Sequence, residues 1–233
     1  MQGVAEVVPV SSSAQLTLLP WLLGWEPPAD RTGFAAALHA GSCVGIAAVV
    51  GRPDRRTAAL VAATSVPAAV AGLLAADRVE ARLGRPPQLA ALLAGAGALL
   101  WAADRWSPRD RQVGVREATL AAAAQVAALV PGVSRSGATL TALRLAGVER
   151  SAAQRFSMLM SLPVTAGAAG LTLARSRALT PQIVVGAGTS AVSSAVATVV
   201  LNRRGGDSAS APALYRLALA AIVARRLHRE GPA

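Results

Sequence analysis

The chain contains no lysine: all 23 of its basic residues are arginine. Charge of either sign is scarce, because Asp, Glu, Lys and Arg together make up 15% of 233 residues, against about 25% in an ordinary soluble domain. Aromatic residues stand at 3%, too few for the stacking platforms that hold single-stranded nucleic acid. A formal charge of +11 would otherwise point to nucleic acid. The arginines are instead gathered in short clusters between apolar runs, which makes anionic lipid head groups the better counter-charge and leaves nucleic acid out of the expected partners. The single cysteine, Cys43, excludes an intrachain disulfide and hence a disulfide scaffold. The first residues, Met1, Gln2 and Gly3, lack the basic stretch of a cleavable signal peptide, so the apolar runs are expected to stay in the membrane.

What the chain has in quantity is apolar surface, at 53% of residues. The segments 33–51, 57–76, 86–103, 156–174 and 178–202 contain no Asp, Glu, Lys or Arg. Each is about 18 residues or longer, enough to cross a bilayer as a helix. Between them lie Arg52, Arg55 and Arg56; Arg78, Arg82 and Arg85; Arg105, Arg109 and Arg111; Arg203 and Arg204; and Arg225, Arg226 and Arg229. Because the loops are basic throughout, the positive-inside rule assigns no orientation. Small residues recur on single helix faces, as at Ala94, Gly97 and Ala98 or Ala166, Gly167 and Gly170, and in lipid such faces let backbones approach. The expected fold is an all-α integral membrane protein, one multispan helical bundle covering residues 1–233.

Two segments depart from this pattern. QGVAEVVPVSSSAQL runs from Gln2 to Leu16 and QVAALVPGVSRSGAT from Gln125 to Thr139. A shift of 123 positions places Gln2 on Gln125, Val7 on Val130, Val10 on Val133, Ser11 on Ser134 and Ser13 on Ser136. Spanning helices are expected to follow, beginning near Phe34 and Phe156. The pattern predicts two inverted repeats, about 1–103 and about 118–224. Each contains a proline followed by serines inside apolar surroundings. Proline frees backbone groups that lipid cannot satisfy, so both segments are expected to be broken, re-entrant helices lining a shared site; two kinked helices with serines bonded back to carbonyls are the plainer alternative.

The charges fall on these same segments. Glu6 is the only charge within residues 1–25, and Arg135 the only one between Glu117 and Arg144. An ionisable group at membrane depth is costly and marks a site. If the halves face one another, Glu6, Ser11, Ser12 and Ser13 meet Ser134, Arg135 and Ser136. The guanidinium fork, the hydroxyls and the close backbone approach allowed by Gly132 and Gly137 describe an anion site suited to phosphate. A carboxylate beside a phosphate needs either a cation or a proton to work on, so Glu6 is expected to help hold a divalent cation or to act as a base. Gln2, one turn away, would be a second, neutral oxygen ligand on the same helix face.

With these residues on view, the chain resembles the bacterial undecaprenyl-pyrophosphate phosphatase family of the bacitracin-resistance type. PVSSSAQL and PGVSRSGAT are similar to its two signature regions. FAAALHAGS at Phe34–Ser42, GVERSAAQRFSMLMSLP at Gly147–Pro163 and the Tyr215-Arg216 pair extend the resemblance over nearly the whole chain. It implies a membrane hydrolase of the bacterial plasma membrane that converts undecaprenyl pyrophosphate to the monophosphate carrier of cell-wall synthesis. Expected partners are that polyprenyl lipid and the membrane itself, with a homodimer admissible. The resemblance implies that Gln2 and Glu6 serve metal (Mg or Ca) and proton chemistry, and that Ser12 is a nucleophile or phosphate ligand. It places the pyrophosphate on Arg135, Ser134, Ser136 and Thr139, with Ser11, Ser13, Gln15, Gln125 and Gly137 lining the site.

Two departures stand out. The family has Gly-His after its serine run, and this chain has Ala14-Gln15. Gln15 is expected to reach the same cavity, where an amide can orient a phosphate oxygen or water but cannot carry a proton. Gln15→His is therefore expected to accelerate hydrolysis. The helix before Pro9 has only about eight residues, or roughly 12 Å against a core of roughly 30 Å, so either the start lies upstream or this helix is incomplete. His39, inside an apolar run, is expected to be satisfied by a neighbouring carbonyl, and His228 to be solvated. The alternative functions are a carrier that moves polyprenyl phosphate without hydrolysis and a catalytically weakened paralogue.

Overall fold

A computed structural model of the chain describes residues 1–26, 30–107, 110–175, 180–203 and 208–230; Arg109 and Arg204 of the loop clusters lie outside them. The described residues form ten helices and no strand: α1 (Gln2–Val7), α2 (Ser12–Leu23), α3 (Arg31–Val49), α4 (Arg55–Leu83), α5 (Pro86–Trp106), α6 (Val115–Ala127), α7 (Arg135–Leu145), α8 (Arg150–Arg175), α9 (Pro181–Arg203) and α10 (Ser210–Glu230). The helical bundle expected from the sequence is therefore what forms. The spans expected to begin near Phe34 and Phe156 start slightly earlier, at Arg31 and Arg150.

Local chemistry sets the ends. Asp30 caps α3 by accepting from the Gly33 amide at 2.8 Å. Asp54 caps α4 by accepting from Thr57 N at 2.9 Å and Thr57 Oγ1 at 2.7 Å. Pro86 opens α5 at a position whose missing N–H costs nothing. Pro9 and Pro131 fall between helices, so α1 stops at Val7 and α6 at Ala127. Both signature segments are thus broken helices rather than kinked ones.

Helices α3, α4, α5 and α9 are each long and apolar enough to cross a membrane. The remaining charge-free run, 156–174, lies within α8. Val66, Val70, Leu73 and Leu74 on α4 and Val184, Val185, Val192 and Val196 on α9 point outward. In water such faces would be a liability; in a bilayer they are the ordinary outer surface.

Packing inside the bundle relies on small residues. Helix α3 lies so close to α9 that a Cβ on Gly41 would collide with the Ala187 carbonyl oxygen, and one on Gly45 with that of Ala191. The approach lets Ser42 and Ser190 share a hydroxyl hydrogen bond at 2.7 Å, while Ser194 Oγ donates to Ser42 O at 3.2 Å. Such interhelical hydrogen bonds replace the hydrophobic drive that lipid removes. Helices α5 and α10 pair beside α2 through Ala14, Leu18, Leu89, Leu93, Leu219 and Val223. A second core, around Val7, Ile46, Leu143, Phe156 and Met160, ties α1, α3, α7 and α8 together. At one end Asp104 accepts from Arg144 Nε (3.1 Å), from Arg150 Nε and Nη2 (both 2.8 Å) and from Ala209 N (3.0 Å). This hub fastens α5, α7, α8 and the approach to α10, and it fixes the helix that carries Arg135 at its other end.

Candidate active site

The two breaks meet inside the bundle. Helix α1 carries Glu6 and Gln2; the turn after it delivers Ser11 and Ser12 to the start of α2; the second break places Ser134 and Arg135 at the start of α7. Ser11 and Ser134 each precede their helix with a positive φ, +67° and +73°. Ser134 Oγ accepts from Gly137 N at 3.2 Å, closing the first turn of α7.

Glu6 is the centre. Its Oε1 accepts from Arg135 Nη2 at 2.9 Å, an ion pair between the two charges that the sequence isolates. Its Oε2 accepts from Ser12 Oγ at 3.1 Å and from Gln2 Nε2 at 3.2 Å, and lies 3.3 Å from His39 Nδ1. Gln2 Nε2 is also 3.2 Å from that same imidazole nitrogen. Arg135 is braced from behind, with Nη1 donating to Ser157 O at 3.1 Å and Nη2 also reaching Glu6 O at 3.4 Å. Thr139 Oγ1 bonds to Ser157 Oγ at 2.6 Å and donates to Arg135 O at 2.9 Å, so α7 and α8 hold the guanidinium base between them.

Of the residues expected at the site, Gln2, Glu6, Ser12, Arg135 and Thr139 converge directly. Ser134 and Ser136 share a 3.3 Å contact beside Gly137, and Ser11 and Ser13 a 3.5 Å one. Two others are turned elsewhere. Gln15 Nε2 donates to Val10 O at 3.1 Å while its Oε1 accepts from Tyr215 OH at 2.8 Å, so both ends of its amide are engaged. Gln125 Nε2 donates to Thr64 O on α4 at 3.4 Å. His39 differs from its expectation: it faces the Glu6 carboxylate and the Gln2 amide rather than a lone carbonyl. Its i−3, i+3 and i+4 neighbours Ala36, Ser42 and Cys43 give no sequence hint of that, because the contact joins α3 to a helix more than thirty residues away. Ser157 was also missed, since it is recruited through its carbonyl, which any residue has. His228 is exposed as expected.

The chemistry a divalent cation needs is partly here. Gln2 Oε1 is buried without a hydrogen-bond partner, on the amide whose Nε2 donates to the same Glu6 oxygen that accepts from Ser12 Oγ. These are hard oxygen donors of the kind that Mg and Ca take. Among the described residues no group of three or more His, Cys, Asp and Glu assembles anywhere. A cation would therefore rest on one carboxylate and be completed by phosphate oxygens of a ligand, a common arrangement for Mg.

Apolar spans around a buried carboxylate–guanidinium pair, with hydroxyls at two broken helices, define an integral membrane protein that handles an anion within the bilayer. The chain belongs to the bacitracin resistance protein BacA family, whose model matches residues 1–222. An undecaprenyl-diphosphatase of Gemmatimonas aurantiaca is 38% identical, over 96% of this chain and 93% of that protein. Undecaprenyl-diphosphatases of Pelobacter propionicus, at 41% identity, and Geobacter metallireducens, at 40%, each match over 72% of this chain and 70% and 71% of their own lengths.

Proposed function

We propose that the chain is a membrane phosphatase of the bacterial plasma membrane that removes the terminal phosphate of undecaprenyl pyrophosphate. The observation that carries this reading is the Ser12–Glu6–Arg135 constellation: a hydroxyl donating to a carboxylate that is itself held by a guanidinium. In this reading Glu6 Oε2 accepts the Ser12 proton as Oγ attacks the terminal phosphorus, which the 3.1 Å hydrogen bond between them supports. The bond from that phosphorus to the bridging oxygen breaks, and the lipid monophosphate leaves with the electron pair. Water then attacks the phosphoserine, the phosphorus–Oγ bond breaks, Glu6 returns its proton to Ser12 Oγ, and the water's protons leave with the inorganic phosphate. Arg135 exchanges its bond to Glu6 for the phosphate oxygens, neutralising charge in a site from which water is largely excluded. Gln2, Glu6 and Ser12 would hold a divalent cation, which supplies further charge neutralisation when bound. The two sets of five helices, each opened by a broken pair, are read as inverted repeats that bring the breaks together.

The relatives named above are phosphatases, so a non-hydrolytic carrier is the less favoured reading. The test is phosphate release from undecaprenyl pyrophosphate by purified protein in detergent, with Ser12→Ala alongside. Release by the parent and its loss in Ser12→Ala supports the mechanism. Parent protein without hydrolysis, but with lipid flux across sealed vesicles, would replace it with the carrier.

A further inference from the structure

Arg216, on α10, is 0% exposed. Arg144 is buried to the same degree, but Asp104 holds it. Arg216 has no carboxylate partner among the described residues. Its Cβ packs on Gly97 of α5, and its side chain reaches the second break, where Nη2 donates to Gly132 O at 2.9 Å and Val133 O at 2.8 Å. Its Nε and Nη1 are buried and donate to nothing. A guanidinium taken out of water without a counter-charge is strongly unfavourable, and two idle N–H groups add to the cost. Such a group is retained where an anion arrives to meet it.

The surroundings fit an anion. Nη1 lies against Gly137, so close that a methyl there would come within 2.8 Å of it and 3.3 Å of Ser134 Oγ. Nη1 is therefore close to the Ser134 hydroxyl, with Ser136 next to it, at the first turn of an eleven-residue helix whose opening N–H groups favour negative charge. Arg135, by contrast, is already engaged by Glu6 and Ser157. Both cations reach the start of α7, Arg135 with the Glu6 carboxylate and Arg216 with two backbone carbonyls and no carboxylate among the described residues.

We propose that Arg216 is a second phosphate ligand. Its Nε and Nη1 take the oxygens of the phosphate that remains on the lipid, while Arg135, Glu6 and Ser12 act on the phosphate that leaves. A pyrophosphate is then held at both ends, and a monophosphate at one. The division of labour rests on the hydrolase reading; the anion site itself does not.

The test uses full-length protein in detergent and three probes: inorganic pyrophosphate, inorganic phosphate and phosphatidylglycerol. Each is measured as a ligand-induced rise in Tm, beside KM and kcat for undecaprenyl pyrophosphate. Two variants are compared with the parent. Arg216→Lys keeps one charge but not the fork. Gly137→Ala keeps the arginine and puts a methyl 2.8 Å from Nη1, crowding the end that would meet the anion, so it carries the test if Arg216→Lys fails to fold. The expected result is a Tm rise with pyrophosphate in the parent, lost in both variants, and a KM raised about tenfold to a hundredfold with a smaller fall in kcat. Variants with the parent's KM and undiminished pyrophosphate response would make Arg216 a strut for the 132–133 turn only. A rise with phosphatidylglycerol and none with pyrophosphate would assign the site to a phospholipid head group and overturn the proposal. A parent that hydrolyses no lipid, yet responds to pyrophosphate through Arg216, would sink the hydrolase reading and leave the anion site standing.

Discussion

Ser11 and Ser134 share a positive φ that no other non-glycine residue among those described adopts, at +67° and +73°. They stand 123 positions apart, the same offset that superposes the two proline-serine segments. Each is the residue from which a new helix starts after the break. An L-residue is held at positive φ only where its surroundings impose it. The chain thus uses one strained turn twice, and each use aims a serine-lined helix start at the interior.

The strain is measurable at Ser11, whose side chain makes no cap hydrogen bond. Ser11→Gly relieves the backbone and is expected to leave Tm at or above the parent's. Ser11→Val adds a β-branch where φ is positive and should cost about 1–3 kcal/mol. Thermal unfolding in detergent checks this. A valine variant as stable as the parent would mean that the turn relaxes to another conformation.

Glu6 is buried and its partner Arg135 is only 15% exposed, so removing one of the two should do more harm than removing both. Glu6→Gln and Arg135→Gln are each expected to lose about 3–5 kcal/mol by leaving a charge uncompensated, and the double variant to recover part of that loss. All three should be inactive. Arg135→Lys should fold but fall by about a hundredfold in kcat/KM, since a point charge cannot keep the bond to Ser157 O while turning a second N–H from Glu6 to the phosphate. Additive losses in the double variant would show that the pair is not coupled.

Much of this was legible beforehand because lipid leaves few choices. A lone Glu6 and a lone Arg135 on proline-broken segments had to be buried near a partner, and the 123-residue offset told which partner. The run 33–51 became α3 for the same reason: with no charges, it is at home only across the apolar layer. His39, Ser157 and the free donors of Arg216 were not legible. A histidine's neighbour across the bundle depends on helix register, a backbone carbonyl leaves no mark in the sequence, and Arg216 reads like any other member of an arginine-rich chain until its burial is known. The bond between Gln15 and Tyr215 was not legible either, since the two lie two hundred positions apart.

Gln2 Oε1 is buried with no partner beside the Glu6 carboxylate. If a divalent cation occupies that corner, activity should fall in excess chelator and return with Mg or Ca. Gln2→Glu adds a charged ligand at the same i, i+4 spacing, so it should lower the half-saturating metal concentration. Gln2→Leu should raise it. Full activity of the parent in chelator would leave Glu6 as a proton acceptor alone.

The last prediction concerns Gln15 and Tyr215, which join α2 to α10 through a 2.8 Å hydrogen bond. The amide is anchored at its other end by Val10 O at 3.1 Å. Gln15 is 3% exposed, so neither end has water to fall back on. Tyr215→Phe and Gln15→Leu each remove the same bond and should each cost about 1 kcal/mol or somewhat more, with a double variant little worse than the Gln15 change alone. An imidazole at position 15 is expected to take over both bonds of the amide, donating to the Val10 carbonyl from one nitrogen and accepting from the Tyr215 hydroxyl with the other. It is thereby kept in the latch and away from the Glu6 carboxylate. Gln15→His should therefore hydrolyse the lipid at close to the parent's single-turnover rate, where the sequence alone suggested acceleration. The two expectations part cleanly in one rapid-quench measurement of phosphate release. A histidine variant that is markedly faster would show that the side chain leaves Tyr215 during turnover and carries a proton at the site.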